Sequence, residues 1–276
     1  MLYNGIKHII FIYFIIFFCI FQVSTANFKE VKVEQIYTIP VNEAFDAVIE
    51  DSECGCPLCL LYKKLEEDEL DIILGASMME PDIRIKTNDM GFCLTHYRMM
   101  LSRRRMLGIG LIMESHLAEV KKKLDGPVVL GNKRAAAKDA LAKLECDCYV
   151  CSRIDKNLAA MTSTVCYLWE SDGEFRKKFN KQPWFCMPHY RAMIDYASKK
   201  LPKRLYGDFY DEAHAIQARY LAELEKDVSW FCKKFDYRYD EEPWYNSKDS
   251  VKRAVKFLGG CFGEETDTAK KKRNEG

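Results

Sequence analysis

The sequence lacks a dominant charge of either sign. Its 42 Lys and Arg residues nearly balance its 41 Asp and Glu residues, so 276 residues carry a formal net charge of only +1. A balance of this kind gives the whole chain no electrostatic attraction to nucleic acid or to an anionic membrane surface. We therefore predict no nucleic-acid partner and no membrane association of the core.

The usual sequence signatures of catalysis are also missing. We find no GxGxxG, P-loop, HExxH or GxSxG motif, and no pair of carboxylates at a spacing typical of acid–base catalysis. The sequence thus identifies no catalytic residue and no organic cofactor. Whether the protein is an enzyme is left open, with a non-enzymatic protein favoured.

A sustained period-two pattern, which would indicate strands, is absent from the core of the sequence. Apolar residues instead recur three and four apart, as on one helix face; the clearest set is Ala213, Ile216, Tyr220, Leu224, Val228 and Phe231. Residues 133–144 (KRAAAKDALAKL) are strong helix formers. We predict an all-α fold, with long loops at residues 75–91 and 172–184.

Against these absences, eight of the 12 cysteines form two near-copies of one pattern. The first copy reads ECGCPLC at residues 53–59 and GFCLTHYRMM at residues 91–100. The second reads ECDCYVC at residues 145–151 and WFCMPHYRAM at residues 184–193. Each copy therefore contains CxxC followed by CxxH, and three thiolates with one imidazole are a common ligand set for structural zinc.

The similarity between the copies extends beyond the cysteines. Arg84, Lys86 and Asn88 recur 92 positions later as Arg176, Lys178 and Asn180. Agreement outside the metal motifs indicates duplication of a whole structural unit. We predict four segments: a leader at residues 1–32, a first helical repeat at 33–135, a second at 136–240, and a C-terminal extension with a basic disordered tail at 241–276.

We predict two zinc ions per chain, each held within one copy of the repeat. Pro57 suits the first turn of a helix, which places Cys56 and Cys59 on one face, and Cys93 and His96 open a later helix in the same way. Two helix starts would then meet at each metal. The predicted ligand sets are Cys56, Cys59, Cys93 and His96 for one ion, and Cys148, Cys151, Cys186 and His189 for the other.

Thiol redox chemistry, disulfides and an iron–sulfur cluster are the competing interpretations, and zinc is favoured because each CxxC has a CxxH partner. Cys54 and Cys146 are spare cysteines that leave the choice of ligands open, especially in the second copy. Two functions follow. The protein is either a zinc-stabilised scaffold or adaptor that acts through a protein partner, or a redox or metal-responsive sensor with Cys54 and Cys146 as resolving thiols.

Several segments resemble a bacterial family catalogued as domain of unknown function 6062. They are YTIPVNEAF at residues 37–45, CPLC at 56–59, MEPDIRIKTNDMGFCLTHY at 79–97 and FDYR at 235–238. The similarity covers roughly residues 34–260. It implies a shared fold and a shared cysteine–histidine pattern, but no activity, because the family has no established one.

The N-terminus contains an apolar run, IIFIYFIIFFCIFQV at residues 9–23, followed by Ser24, Thr25 and Ala26. This pattern is typical of a secretory signal, and export or anchoring through residues 9–23 is one expectation. The alternative, which we favour, is a misassigned upstream extension. Lys29 to Val31 can be encoded as a ribosome-binding sequence, and a start at Val33 resembles the beginning of the family. In that case the protein is cytoplasmic with reduced thiols.

Overall fold

The protein is all-α. The computed structural model describes residues 36–51, 55–125 and 133–260, and within these ranges 82% of the structure is helix, without strands. The predicted all-α class is confirmed, and the predicted internal duplication stays a prediction. The α-helices are α1 (Thr38–Glu50), α2 (Pro57–Ile73), α3 (Pro81–Met90), α4 (Leu94–Ser102), α5 (Met106–Asp125), α6 (Lys133–Cys146), α7 (Tyr149–Ser171), α8 (Gly173–Asn180), α9 (Met187–Lys200), α10 (Lys203–Lys233) and α11 (Ser250–Gly259), with short 3₁₀ turns at Ala76–Met79 and Tyr237–Tyr239.

The two predicted long loops are wrong, because each contains a helix. Helix α3 begins with Pro81 in its first turn, after the extended residue Glu80. Helix α8 begins after Asp172, whose side chain accepts hydrogen bonds from the backbone amides of Glu174 at 2.9 Å and Phe175 at 3.3 Å. Proline at the first helical position and an Asp cap are both helix-start signals. Both signals are present in the sequence, but the loop prediction rested on Pro81, Asn88 and Gly91 as turn-forming residues and on the correspondence of the two segments.

Helices α2 and α7 form the central pair and run antiparallel. The start of α2 and the end of α7 share one hydrophobic cluster, the large core, which includes Leu58, Leu61, Val165 and Trp169. The end of α2 and the start of α7 share a second cluster, the small core, which includes Leu70, Ile73, Val150 and Ile154. Each long helix therefore has one end in each core.

Eight buried aromatic side chains, all Phe or Trp, belong to the large core. Phe45 of α1 lies 5.0 Å from Phe175 and 6.2 Å from Phe179 of α8, centroid to centroid. Trp169 of α7 meets Phe209 of α10 edge-on at 5.1 Å. Buried aromatic rings of this kind each remove roughly 150–250 Å² from water. The large core therefore links α1, α7, α8 and α10 around the start of α2.

The predicted leader at residues 1–32 and the basic tail lie outside the described residues, so both stay predictions, as do the segment boundaries. Part of the C-terminal extension is described, since α11 packs against α9 and α10. Among the described residues, no helix combines the length and the apolar character that crossing a bilayer requires.

Candidate metal centres

Cluster A, formed by Cys56, Cys59, Cys186 and His189, lies where the starts of α2 and α9 meet. Cys56 and Cys186 are the residues immediately before these helices, in extended conformation. His189 Nδ1 lies 3.1 Å from the Cys186 sulfur and 3.4 Å from the Cys59 sulfur. The Cys59 and Cys186 sulfurs are 3.6 Å apart. All four side chains are buried.

Cluster B, formed by Cys93, His96, Cys148 and Cys151, repeats this arrangement where the starts of α4 and α7 meet. His96 Nδ1 lies 3.2 Å from the sulfurs of Cys93 and Cys148, and 3.5 Å from that of Cys151. Cys148 precedes α7, and its sulfur accepts the backbone amide of Cys151 at 3.5 Å. Cys93 and Cys151 are half-buried.

The eight predicted residues thus come together in two groups of four, but the predicted pairing within each copy is wrong. Each CxxC joins the CxxH of the other copy. The reason is the antiparallel central pair: α2 carries the chain away from Cys59 toward the start of α7, so Cys93 and His96 reach Cys148 and Cys151 instead. The prediction treated residues 75–91 as extensible loop, whereas α3 shortens that connection.

Zinc fits both clusters. A tetrahedral zinc ion, with bonds of about 2.3 Å to sulfur and about 2.1 Å to nitrogen, places its ligand atoms roughly 3.5–3.8 Å apart. The close ligand-atom separations in the two clusters run from 3.1 Å to 4.0 Å and so span this range. In both clusters the Nδ1 atom of the histidine faces the sulfurs. The close sulfur pairs are not disulfides in this structure, because Cys59–Cys186 at 3.6 Å and Cys93–Cys151 at 4.0 Å far exceed a bonded sulfur distance of about 2.05 Å.

Glu66 supports the histidine of cluster B. Its carboxylate Oε1 lies 3.1 Å from His96 Nε2, so Nε2–H can donate to Glu66 while Nδ1 faces the thiols. A carboxylate on the outer nitrogen fixes the tautomer of a metal-binding imidazole and increases its basicity. At the offset of the repeat, 92 positions later, Glu66 corresponds to Leu158, so the second copy has no carboxylate at this position.

Burial and contacts between the side chains shift the pKa values of several cluster residues. Burial opposes protonation of His96, yet its contacts with Cys148 and Glu66 raise its pKa to about 10. Burial acts to raise the pKa of Cys148, but the contact with His96 and hydrogen bonds from the backbone of Cys151 and Cys93 together outweigh it and lower the pKa to about 6. Burial raises the pKa of Cys56 and of Cys151. Metal binding must therefore displace protons, and zinc affinity should rise with pH.

Gly91 positions the backbone next to cluster B. It adopts φ +65°, and a Cβ at this position would lie 2.9 Å from the ring of His116, so the backbone and the close contact both favour glycine. Its carbonyl accepts the backbone amide of Tyr149 at 3.0 Å, which joins the segment before Cys93 to the start of α7. His116 is buried, and its Nδ1 lies 2.9 Å from the Asn88 carbonyl, as expected for a satisfied core histidine.

Gln217 has a similar role beside cluster A. Its side chain accepts the amide of Phe185 at 3.0 Å and donates to the Phe185 carbonyl at 2.8 Å. This buried pair of bonds holds the extended segment that presents Cys186. Gln217 and Glu66 were both missed in the sequence. Gln217 could have been noticed as an amide within the buried stripe of α10, whereas nothing local marks Glu66.

The two spare cysteines differ in what the structure shows. Cys146 is exposed and does not belong to either cluster. Cys54 lies outside the described residues. In the second copy, where the sequence left the choice open, the structure groups Cys148 and Cys151 with a histidine.

Comparison with protein families gives one match. The model of a family of unknown function, DUF6062, matches residues 32–265. The chain belongs to this family. The match contains both clusters and every helix described above, so the resemblance noted from the sequence is confirmed for DUF6062. Comparisons with curated proteins and with solved structures give no match.

Proposed function

We propose that this DUF6062 member is a non-enzymatic helical scaffold or adaptor, stabilised by two structural zinc ions. One ion is held by Cys56, Cys59, Cys186 and His189, and the other by Cys93, His96, Cys148 and Cys151. The observation that carries the proposal is the presence of two complete Cys₃His sets, each formed from two helix starts. Helix starts suit thiolates, because their free backbone amides and positive dipole favour negative charge.

A structural role is favoured over a catalytic one for a chemical reason. Four protein ligands complete the tetrahedral shell of zinc, whereas catalytic zinc sites keep a position for water or substrate. Six of the eight side chains are no more than 5% exposed: Cys56, Cys59, Cys186 and His189 of cluster A, and His96 and Cys148 of cluster B. These six side chains offer little access to a substrate, and only Cys93 and Cys151 of cluster B are partly exposed. The function would therefore be exercised through a protein partner rather than through the metals.

We also propose that the two halves arose by internal duplication. Helices α2 and α7 begin at residues 57 and 149, and α3 and α8 at 81 and 173, which are both offsets of 92. The corresponding helices also contact each other in the two halves, α3 with α5 and α8 with α10. Asn88 of α3 pairs with Ser115 of α5 at 2.8 Å, and Asn180 of α8 pairs with Glu212 of α10 at 2.9 Å. In this view the two copies exchanged their CxxH segments, so that each zinc ion joins both.

Metal analysis of the purified chain tests the proposal. We expect two zinc ions per chain by elemental analysis, and intact mass under non-denaturing conditions should show the same two ions. Cys166→Ser is a matched control, because Cys166 is buried in the large core but is outside both clusters. A chain without metal, whose thermal stability is unchanged by a chelator, would contradict the proposal.

The sensor remains the alternative function, and the exposure of Cys146, two residues from Cys148, is the observation that favours it. A sensor that uses Cys146 as its resolving thiol should lose its peroxide response in Cys146→Ser. A scaffold should show the same metal content and stability with or without this substitution.

A further inference from the structure

The two clusters differ in their exposure to solvent. In cluster A, Cys56 and Cys186 are completely buried, and Cys59 and His189 are each 4% exposed. In cluster B, His96 and Cys148 are buried, whereas Cys93 and Cys151 are only partly so. A reagent from solvent can therefore reach two sulfurs of cluster B, whereas the three sulfurs of cluster A are shielded from it.

The packing around the two clusters also makes cluster B the more accessible one. Cys56, Cys59 and Cys186 are members of the large core, among the aromatic side chains that surround the start of α2. In cluster B only Cys148 belongs to the small core, and Cys93 and Cys151 pack against its edge. Reaching cluster A requires disruption of the large core, while cluster B can react at the surface of the folded protein.

We infer that cluster B is a peroxide-reactive zinc site, which releases its metal as a Cys93–Cys151 disulfide forms, while cluster A keeps its zinc. This inference rests on the proposed zinc binding and adds a regulated site to it. The two sulfurs are 4.0 Å apart and come from the starts of different helices. Rotation of two half-buried side chains can close that gap once the metal no longer separates them.

The chemistry balances with hydrogen peroxide as the oxidant. One thiolate attacks a peroxide oxygen, the O–O bond breaks, and with one proton the products are a sulfenic acid and water. The second thiolate then attacks the sulfenic sulfur, and with another proton it forms the disulfide and a second water. Two thiolates lose two electrons in total, peroxide gains them, and zinc leaves because two of its four ligands are gone.

Cys93 and Cys151 are the favoured pair because the two other nearby cysteines, Cys148 and Cys146, are less well placed to react. Cys148 is buried and its sulfur accepts the amide of Cys151, so it is shielded. Cys146 is exposed, but it lies within the last turn of α6 rather than at the metal. The disulfide would also keep the starts of α4 and α7 joined, so a thiol reductant together with zinc should restore the site.

The test uses the full zinc-loaded chain and hydrogen peroxide. Released zinc is followed with a chromogenic chelator, and disulfides are mapped by mass spectrometry of unreduced peptides. We expect one zinc ion to leave at least about tenfold faster than the second, together with a Cys93–Cys151 disulfide, since exposed thiolates oxidise selectively. Reduction and added zinc should return the stoichiometry to its starting value.

Two variants complete the design. Cys93→Ser should contain only the cluster A zinc and should lose none of it at the same dose, and Cys146→Ser should behave as the wild type does. Equal loss of both ions, first loss from cluster A, or a disulfide through Cys146 would each overturn the inference. Absence of zinc before peroxide is added would instead refute the proposed function. If Cys93→Ser does not fold, the wild-type release and disulfide map still decide the question.

Discussion

Four cysteines occupy the same local position in this fold, since Cys56, Cys93, Cys148 and Cys186 each immediately precede a helix. At each of these places a second ligand follows three residues later, on the same face of the first turn. Each CxxC or CxxH motif is therefore a two-ligand unit. Which units share a metal is a separate question that double substitutions can answer.

The first prediction concerns shared metals. Cys59→Ser with Cys186→Ser should remove one zinc ion, because both residues belong to cluster A. Cys59→Ser with Cys93→Ser should remove both ions, because these residues belong to different clusters. Elemental analysis of the two double variants is a matched comparison. The reverse result would restore the pairing within each copy and refute the geometry described here.

The second prediction concerns Glu66. Replacing it with Gln removes the carboxylate that faces His96 Nε2, and we expect the zinc affinity of cluster B to fall about 10- to 100-fold, as for other carboxylate–histidine contacts. Competition with a chelator of known affinity measures this, and cluster A should be unaffected. Glu67→Gln, on the exposed face of the same helix, is the control. An unchanged cluster B affinity would show that Glu66 does not support the ligand.

At the scale of helices, Glu212 of α10 joins three elements. Its carboxylate accepts hydrogen bonds from Trp169 of α7 at 2.8 Å, and from Arg176 and Asn180 of α8, each at 2.9 Å. Burial acts to raise the pKa of Glu212, but these hydrogen bonds outweigh it, so the pKa lies below its ordinary value of 4.5. The ionised carboxylate therefore stabilises the contact of α8 and α10 with α7.

The third prediction follows from the direction of that shift. A lowered folded-state pKa means that the stabilisation is fully present above pH 4.5 and is lost as the pH falls through the folded-state value. Glu212→Gln should reduce the free energy of unfolding by about 1–3 kcal/mol at pH 7. The difference from wild type should shrink below pH 4.5. Denaturant unfolding at both pH values measures it.

Glu174→Gln is the control for that experiment. Glu174 pairs with Lys177 on the surface of α8 and its side chain is 84% exposed. Surface pairs of this kind contribute about 0–1 kcal/mol, so little change is expected at either pH. An equal effect of the two substitutions would show that Glu212 is merely another surface carboxylate.

At the scale of the whole molecule, each zinc ion would join segments far apart in the chain. Cluster A connects the start of α2 with the start of α9, and cluster B connects α4 with α7. Structural zinc contributes about 10–16 kcal/mol in small zinc-binding peptides, whereas a typical domain is stable by only about 5–15 kcal/mol. Loss of one ion should therefore loosen parts of both halves.

The fourth prediction is the location of that loosening. In Cys186→Ser we expect faster amide hydrogen exchange at the starts of α2 and α9, although only α9 carries the substitution. Cys93→Ser should produce the mirror pattern at the starts of α4 and α7. Hydrogen-exchange mass spectrometry compares the two variants with wild type. Exchange confined to the half that carries the substitution would argue for two independent units.

Much of this site could be predicted from the sequence because its signals are local. Ligand spacing of three residues, Pro57 at a helix start and the second copy of the pattern together predicted an all-α fold and the eight side chains that the structure assembles. Helical periodicity and capping act over a few residues, so they can be read without knowledge of the fold. The same local signals at Pro81 and Asp172 mark α3 and α8, although the prediction placed loops there.

Only the tertiary structure decided how the two-ligand units combine. Both pairings satisfy the same spacings, and the choice depends on the antiparallel packing of α2 against α7, which places each CxxC beside the CxxH of the other copy. Glu66 and Gln217 reach their partners across 30 and 32 residues, beyond any local pattern. The difference in exposure between the clusters is likewise a property of the packed cores, because burial depends on contacts between distant segments.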